Sequence, residues 1–179
     1  MAEAFSNSLT RAAGIVTTYS GSTIAVGGTA ITVSAATGIG VSDLIDNPNF
    51  IAGTKVKQIV GTTVYSDRNS TNTAVATAQI VKFLGVTTAY TSASGTKSIL
   101  IGGTFANNTT SQVNLTVEVF DQSADTTVGI AQKIPVPSGS SFVISDAGKS
   151  VLESLDEVRL YTDASSAIDA NLSILTGVS

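Results

Sequence analysis

Any chemistry done by this 179-residue chain must come from thirteen Asp or Glu carboxylates, nine Lys or Arg side chains and hydroxyls, because it contains neither histidine nor cysteine. Without imidazole or thiol there is no serine triad, no thiol nucleophile and no usual zinc or copper ligand set. Paired acids remain. Two carboxylates held several ångströms apart can cleave a glycosidic bond, one as acid and the other as nucleophile or base. Asp121 with Asp125, Asp156 with Glu157, and Asp43 with Asp46 are the pairs close enough in sequence to consider. All stand in predicted turns or strand ends, where Asp characteristically accepts hydrogen bonds from its own backbone. Asp121 and Asp125 could also offer hard oxygens to calcium beside loop carbonyls, but they lack the dense acidic spacing of a calcium loop. The turn role accounts for all six, so no catalytic, cofactor-binding or metal-binding residue is assigned, and the expectation is a protein that is not an enzyme and uses no cofactor.

Weaker motifs resolve the same way. Gly148-Lys149-Ser150 matches the end of a phosphate-binding loop, yet Val143 stands where that loop needs a glycine. Gly38 and Gly40 suit a tight turn rather than a phosphate cradle. Asn-x-Ser/Thr occurs at Asn69, Asn107, Asn108, Asn114 and Asn171, but the opening Met1-Ala2-Glu3-Ala4-Phe5-Ser6 lacks the cationic flank and apolar run of a secretory signal, so glycosylation is not expected. A sugar-stacking platform would rest on Tyr19, Tyr65, Tyr90 or Tyr161; Tyr90 and Tyr161 are read instead as strand residues with a polar tip at the rim.

Charge argues further against two partner classes. Residues 1–96 carry five cations and four anions, and residues 97–179 carry four and nine. Only Lys55 and Lys57 stand close together, so no cationic cluster exists to displace counterions from phosphates, and no nucleic-acid partner is expected. No stretch approaches the ~20 apolar residues of a membrane helix, and no membrane partner is expected either. With 42% hydrophobic and 12% charged residues, the chain should fold and leave sparsely charged faces for neighbouring subunits to cover, which predicts a homo-oligomer.

The elements that carry these residues alternate with period two. In Asn114-Leu115-Thr116-Val117-Glu118-Val119 the apolar side chains share one face, with polar groups on the other, as in a half-buried strand. Ile31–Val33, Phe142–Ile144, Glu157–Tyr161 and Asn171–Ile174 alternate likewise, between turn formers such as Gly27-Gly28, Asp46-Asn47-Pro48, Asn107-Asn108 and Pro137-Ser138-Gly139. β-Branched Thr, Val and Ile fill the runs. Few helices are expected; the best candidates are Glu3 to Ala12, where Phe5 and Leu9 stand four apart, and a turn at Val41 to Ile45.

Many short strands at this spacing indicate an all-β protein, a sandwich or barrel. Gly14-Ile15-Val16-Thr17-Thr18-Tyr19-Ser20 and Gly85-Val86-Thr87-Thr88-Ala89-Tyr90-Thr91 echo each other. The echo predicts a chain that leaves one β domain near residue 20 and returns near residue 85: an immunoglobulin-like β-sandwich from residues 1–19 plus 86–179, with a small β-barrel or β-roll at 20–85 inserted in it. A tandem arrangement is the alternative. The inserted part, about 65 residues, has a size at which a lone core is marginal without association.

From Val86 onward the text resembles a family. Val86-Thr87-Thr88-Ala89-Tyr90-Thr91, Gly95-Thr96-Lys97-Ser98-Ile99-Leu100-Ile101-Gly102, Ala106-Asn107-Asn108-Thr109-Thr110, Ile134-Pro135-Val136-Pro137-Ser138-Gly139-Ser140-Ser141 and Val158-Arg159-Leu160 resemble a β-sandwich of virion structural proteins of tailed bacteriophages, notably cyanophage-like ones. Phe5-Ser6-Asn7-Ser8-Leu9-Thr10-Arg11 is similar to the usual start of that module. Gly38-Ile39-Gly40-Val41 and Ala52-Gly53-Thr54-Lys55-Val56 are similar to small barrel-like repeats of phage tail and fibre proteins. One departure lies near Ser92-Ala93-Ser94-Gly95, where related modules often have a further proline. The resemblance implies a structural component of the virion, in the neck or tail, assembled in the host cytoplasm with other virion proteins, and no catalytic residue. A capsid decoration or cement protein, or a receptor- or glycan-binding fibre module, are the alternatives it leaves open.

Overall fold

A computed structural model describes residues 3–145 and 149–178. It is all-β, with no helix among those residues. β1 (Ala4–Ala13) opens a larger unit. A smaller unit, Ile15–Val86, follows with β2 (Ile15–Ile24), β3 (Ala30–Thr32), β4 (Leu44–Asp46), β5 (Val56–Val60), β6 (Thr63–Ser66) and β7 (Ala76–Gly85). The chain then returns to the larger unit through β8 (Thr87–Thr91), β9 (Lys97–Asn107), β10 (Val113–Asp121), β11 (Thr126–Val136), β12 (Ser141–Ile144), β13 (Ser150–Leu152), β14 (Glu157–Thr162) and β15 (Ile168–Val178).

The divisions fall at Gly14/Ile15 and Val86/Thr87, so residues 15–19 and Val86 belong to the smaller unit. β2 pairs with β7 from Ile15↔Gly85 through Tyr19↔Val81, which ties this stretch to the smaller unit from its first residue. The two echoing segments are strands of different units, β2 and β8; Thr- and Val-rich text suits any pleated surface and does not say which sheet will take it.

The larger unit is a sandwich of two antiparallel sheets. One has the order β1-β15-β9-β12, with β13 also paired to β9; the other runs β11-β10-β14-β8. Leu100, Phe105, Leu152, Ile168, Leu172 and Ile174 from the first sheet meet Val113, Leu115, Val117, Val158 and Leu160 from the second in one dry core. Burying each such side chain contributes about 1.5–3 kcal/mol. Phe105 stacks on Phe142 at 6.1 Å between ring centroids. At one margin, Ser8 Oγ donates to the Ala89 carbonyl (2.7 Å), joining β1 to β8.

Gly14, where the chain leaves the larger unit, is fixed by sterics. Its φ is +124°, and a Cβ there would run into Thr162 Oγ1 and the Ala164 carbonyl. Its carbonyl accepts from Ser166 N at 3.0 Å.

The smaller unit is a small barrel. Its sheet has the order β4-β7-β2-β3-β6-β5. A bridge between Leu44 and Lys55, with Ser42 N donating to Val56 O (2.8 Å) and Val56 N to Asp43 O (2.9 Å), brings the first strand back to the last. Ile24, Ile31, Val64, Val81 and Phe83 fill the interior.

Three expectations from the sequence are corrected. Glu3 to Ala12 is no helix: Ala4–Ala13 is a strand that pairs with β15. Residues four apart share a side in a strand as well as in a helix, so the Phe5–Leu9 spacing did not distinguish them. Val41 and Ser42 form a turn, and Leu44–Asp46 is extended. The face of β10 opposite the core is also not solvated as read, since Thr116 and Glu118 are buried. β10 lies between β11 and β14, and long side chains cover it there: the Arg159 guanidinium sits 3.6 Å over the Phe120 ring and its Nε donates to Glu157 Oε2 at 2.8 Å.

Candidate functional site

Three of the acids singled out from sequence, Asp43, Asp121 and Asp156, accept hydrogen bonds from backbone amides. Asp121 closes the β10–β11 hairpin, its Oδ1 accepting from Ser123 N (2.9 Å), Ser123 Oγ (2.8 Å) and Ala124 N (2.9 Å). The Ala124 amide, then the Ser123 hydroxyl, hold its carboxyl below the usual aspartate value. Asp125 sits exposed in the same hairpin with φ 47°. Asp156 is buried and accepts from Gln122 N (3.1 Å) and Glu153 N (2.8 Å), so it ties the β10–β11 turn to the β13–β14 turn. Its own carbonyl accepts from Ser92 N at 2.9 Å. The structure therefore brings Asp121's hairpin and Asp156 to one end of the sandwich, but as turn fastenings rather than as two carboxylates facing a cleft. Glu157 accepts from Thr88 Oγ1 and Arg159 Nε.

In the barrel, buried Asp43 accepts from Gly40 N at 2.7 Å. Burial raises its carboxyl above the usual value, and the Gly40 amide offsets this only in part. Asp46 ends β4, three positions beyond Asp43. Gly38 and Gly40 lie in that same connection, where Thr17 Oγ1 donates to Gly38 O at 2.7 Å. Among the described residues, no group of three or more Asp or Glu side chains is placed to hold a metal.

Several of the remaining candidates are occupied too. Asn107 is buried, its Nδ2 donating to Ser111 O and Val136 O and its Oδ1 accepting from Thr109 N and Oγ1, each at 2.8 Å. Tyr161 is fully buried, aligned with Thr116 on the face of its sheet turned away from the sandwich core, Tyr90 OH meets Ser98 Oγ at 2.8 Å and Tyr19 OH donates to Thr37 O at 2.7 Å. Gly148 of the Gly-Lys-Ser fragment lies outside the described residues, and Ser150 begins β13.

What sequence reading missed is a surface. On the outside of the five-stranded sheet the registers align two rows across four strand positions. Phe5, Leu175, Ile99 and Val151 form one; Leu9, Asn171, Thr104 and Val143 form the other. Phe5 is 80% exposed and Leu9 75%, while Val143 and Val151 are 57% and 58% exposed. Between the rows Asn7, Ser173 and Gly102 align, and a shallow groove of about 460 Å³ opens beside Gly102, Val143 and Ser173. A second hollow of about 440 Å³ lies along Leu9, Arg11 and Asp169. Ionisable side chains line only the second, and there Asp169 Oδ1 accepts from Ala12 N at 2.7 Å. The signal was available in Phe5 and Leu9, two large apolar side chains on one strand face whose opposite face carries Ser6, Ser8 and Thr10.

No protein-family model, curated protein or solved structure matches this chain.

Proposed function

We propose that the chain is a non-enzymatic structural protein of a tailed-phage virion, a neck- or tail-associated component that assembles through the surfaces of its β units. The observation that carries the assembly part is the outer sheet face, where Phe5, Leu9, Val143 and Val151 stand at aligned positions and uncovered, while Asp43, Asp121 and Asp156 are engaged in closing turns. Exposed apolar rows of this kind mark surfaces that another protein covers. The placement in a phage particle rests on the sequence resemblance from Val86 to Leu160.

Immunogold labelling of intact particles with an antibody to this chain, together with mass spectrometry of purified particles, tests the reading. The expected result is label at the head–tail junction or along the tail, at fixed copy number. Label on the capsid surface would favour the decoration protein instead. Absence from particles, with saturable binding to a glycan array, would replace the proposal with the fibre-module reading.

A further inference from the structure

We infer that the outer face of the β1-β15-β9-β12/β13 sheet is a homotypic interface, packed on the same face of a second copy about a two-fold axis that runs along the strands between β15 and β9. This deepens the assembly reading above and rests on it.

The placement of the apolar residues selects this axis. Phe5 and Leu9 belong to the outermost column, β1, and Val151 and Val143 to the opposite outer column, formed by β13 and β12 along β9. Turning one copy over about an axis parallel to the strands exchanges β1 with β12/β13 and β15 with β9, and leaves every row at its own height. Phe5 then meets Val151 of the second copy, and Leu9 meets its Val143. Leu175 meets Ile99, and Ser173 lies over Gly102, small on small. Face-packed sheets cross at about 30°, which moves an outer column only about 4 Å, whereas the rows are separated by about 13 Å of strand, so the pairing survives the twist.

Area and charge agree with a second copy as the occupant. Four columns about 4.8 Å apart and strands about 35 Å long give a face of roughly 700 Å². A standard interface takes about 800 Å² per partner. The eight residues of the two rows include no ionisable side chain; the charged groups of the same face, Arg11 with Asp169 and Lys97 with Glu153, lie beyond the rows at the two ends of the strands, as in a polar rim. The barrel's exposed apolar residues, such as Val26, Ile51 and Val75, have no comparable row in the strand registers.

Cysteine cross-linking in the full chain tests the pairing, because the native sequence has no cysteine to interfere. In Leu9→Cys/Val143→Cys the two positions of one chain lie about 15 Å apart across three strand spacings, whereas facing positions of packed sheets lie about 10 Å apart with their side chains pointing at each other, so a short, ethylene-spaced bismaleimide reaches the second copy and not the same chain. The bismaleimide should convert most of this variant, and of Phe5→Cys/Val151→Cys, into covalent dimer, with the mismatched Phe5→Cys/Val143→Cys remaining monomeric on a denaturing gel. Leu9→Lys and Val143→Lys, both at exposed positions, should each raise the dimer dissociation constant at least tenfold by sedimentation equilibrium without changing the circular dichroism spectrum. A wild-type chain that stays monomeric at several hundred micromolar, or equal cross-linking in the mismatched pair, overturns the inference. A dimer that ignores both Lys variants retires this face and leaves assembly standing; absence from particles retires the virion reading whatever the dimer does.

Discussion

The two units solve the same problem with different connections. The sandwich joins most of its strands by short turns, such as residues 108–112, 122–125 and 163–167, and its middle is apolar. The barrel carries long excursions at 33–43, 47–55 and 67–75, and polar groups go inside with them: Asp43, Asn47, Thr54, Ser66 and Ser70 are all buried. A long connection brings backbone N–H and C=O groups that must find partners wherever water is excluded. Asn47 shows how, donating to Ile80 O and accepting from Asn49 N, each at 2.9 Å. Ser66 Oγ reaches Arg68 O at 2.7 Å, and Ser70 Oγ reaches Ala25 O at 2.8 Å. The sandwich is held chiefly by filling, the barrel in larger part by fastening.

That contrast predicts different sensitivities, each read by chemical denaturation with hydrogen exchange resolved by unit. The largest effect belongs to the sandwich. Phe105→Ala empties a fully buried site beside Phe142 and should cost about 3–5 kcal/mol. Phe105→Leu should recover most of that loss, because volume rather than a particular contact is at stake. In the barrel, Asn47→Ala should cost about 2 kcal/mol by leaving buried backbone groups unpaired. Asn47→Leu should not rescue it, although Leu restores the volume. Rescue by Leu at Asn47 would break the distinction between the units.

A smaller effect sharpens the comparison from the sandwich's own polar end. Asp156→Asn keeps one acceptor but turns an amide NH₂ toward one of the two N–H groups that Asp156 now accepts, Gln122 N or Glu153 N. About 1–2 kcal/mol should be lost, with faster exchange confined to the turns that Asp156 ties together. A loss spread evenly through β9 and β15 would mean that fastening matters in the middle of the sandwich too.

Sequence periodicity shows strands where one face is dry and the other wet, as at Asn171–Ile174, and turn formers show where chain reversals fall. It is silent where neighbours decide. Glu118 reads as a solvated residue, yet it is buried because β11 and β14 flank its strand. Phe5 and Leu9 read as a helix face because a spacing of four satisfies both geometries. The carboxylates were legible as turn formers, since Asp121 bonds groups two and three residues away. That Asp156 would reach Gln122, 34 positions away, was not, because short-range preference carries no information about which turns meet in space.

The finest test sets one carboxylate of each unit against the other by pH. Asp121, exposed and supplied with amide and hydroxyl donors, titrates below the usual 3.8, whereas Asp43, buried, titrates above it. A lowered folded value means that the unfolded chain binds the proton more tightly, so Asp121 contributes stability that is present above 3.8 and is lost as pH falls through its folded value. A raised value reverses the sign: the folded barrel holds the Asp43 proton more tightly, and this contribution is present below 3.8 and is lost as pH rises through the folded value. Asn abolishes each titration while keeping an acceptor oxygen. Asp121→Asn should therefore be less stable than wild type at pH 6, with the gap narrowing below pH ~3.8, and Asp43→Asn should gain on wild type as pH is raised from ~3 toward 6. Urea midpoints of both variants, each taken as the difference from wild type, should show slopes of opposite sign across that range. Parallel slopes would mean that the Asp43 site is wet, and that the barrel's long connections leave its polar groups in water rather than fastened inside.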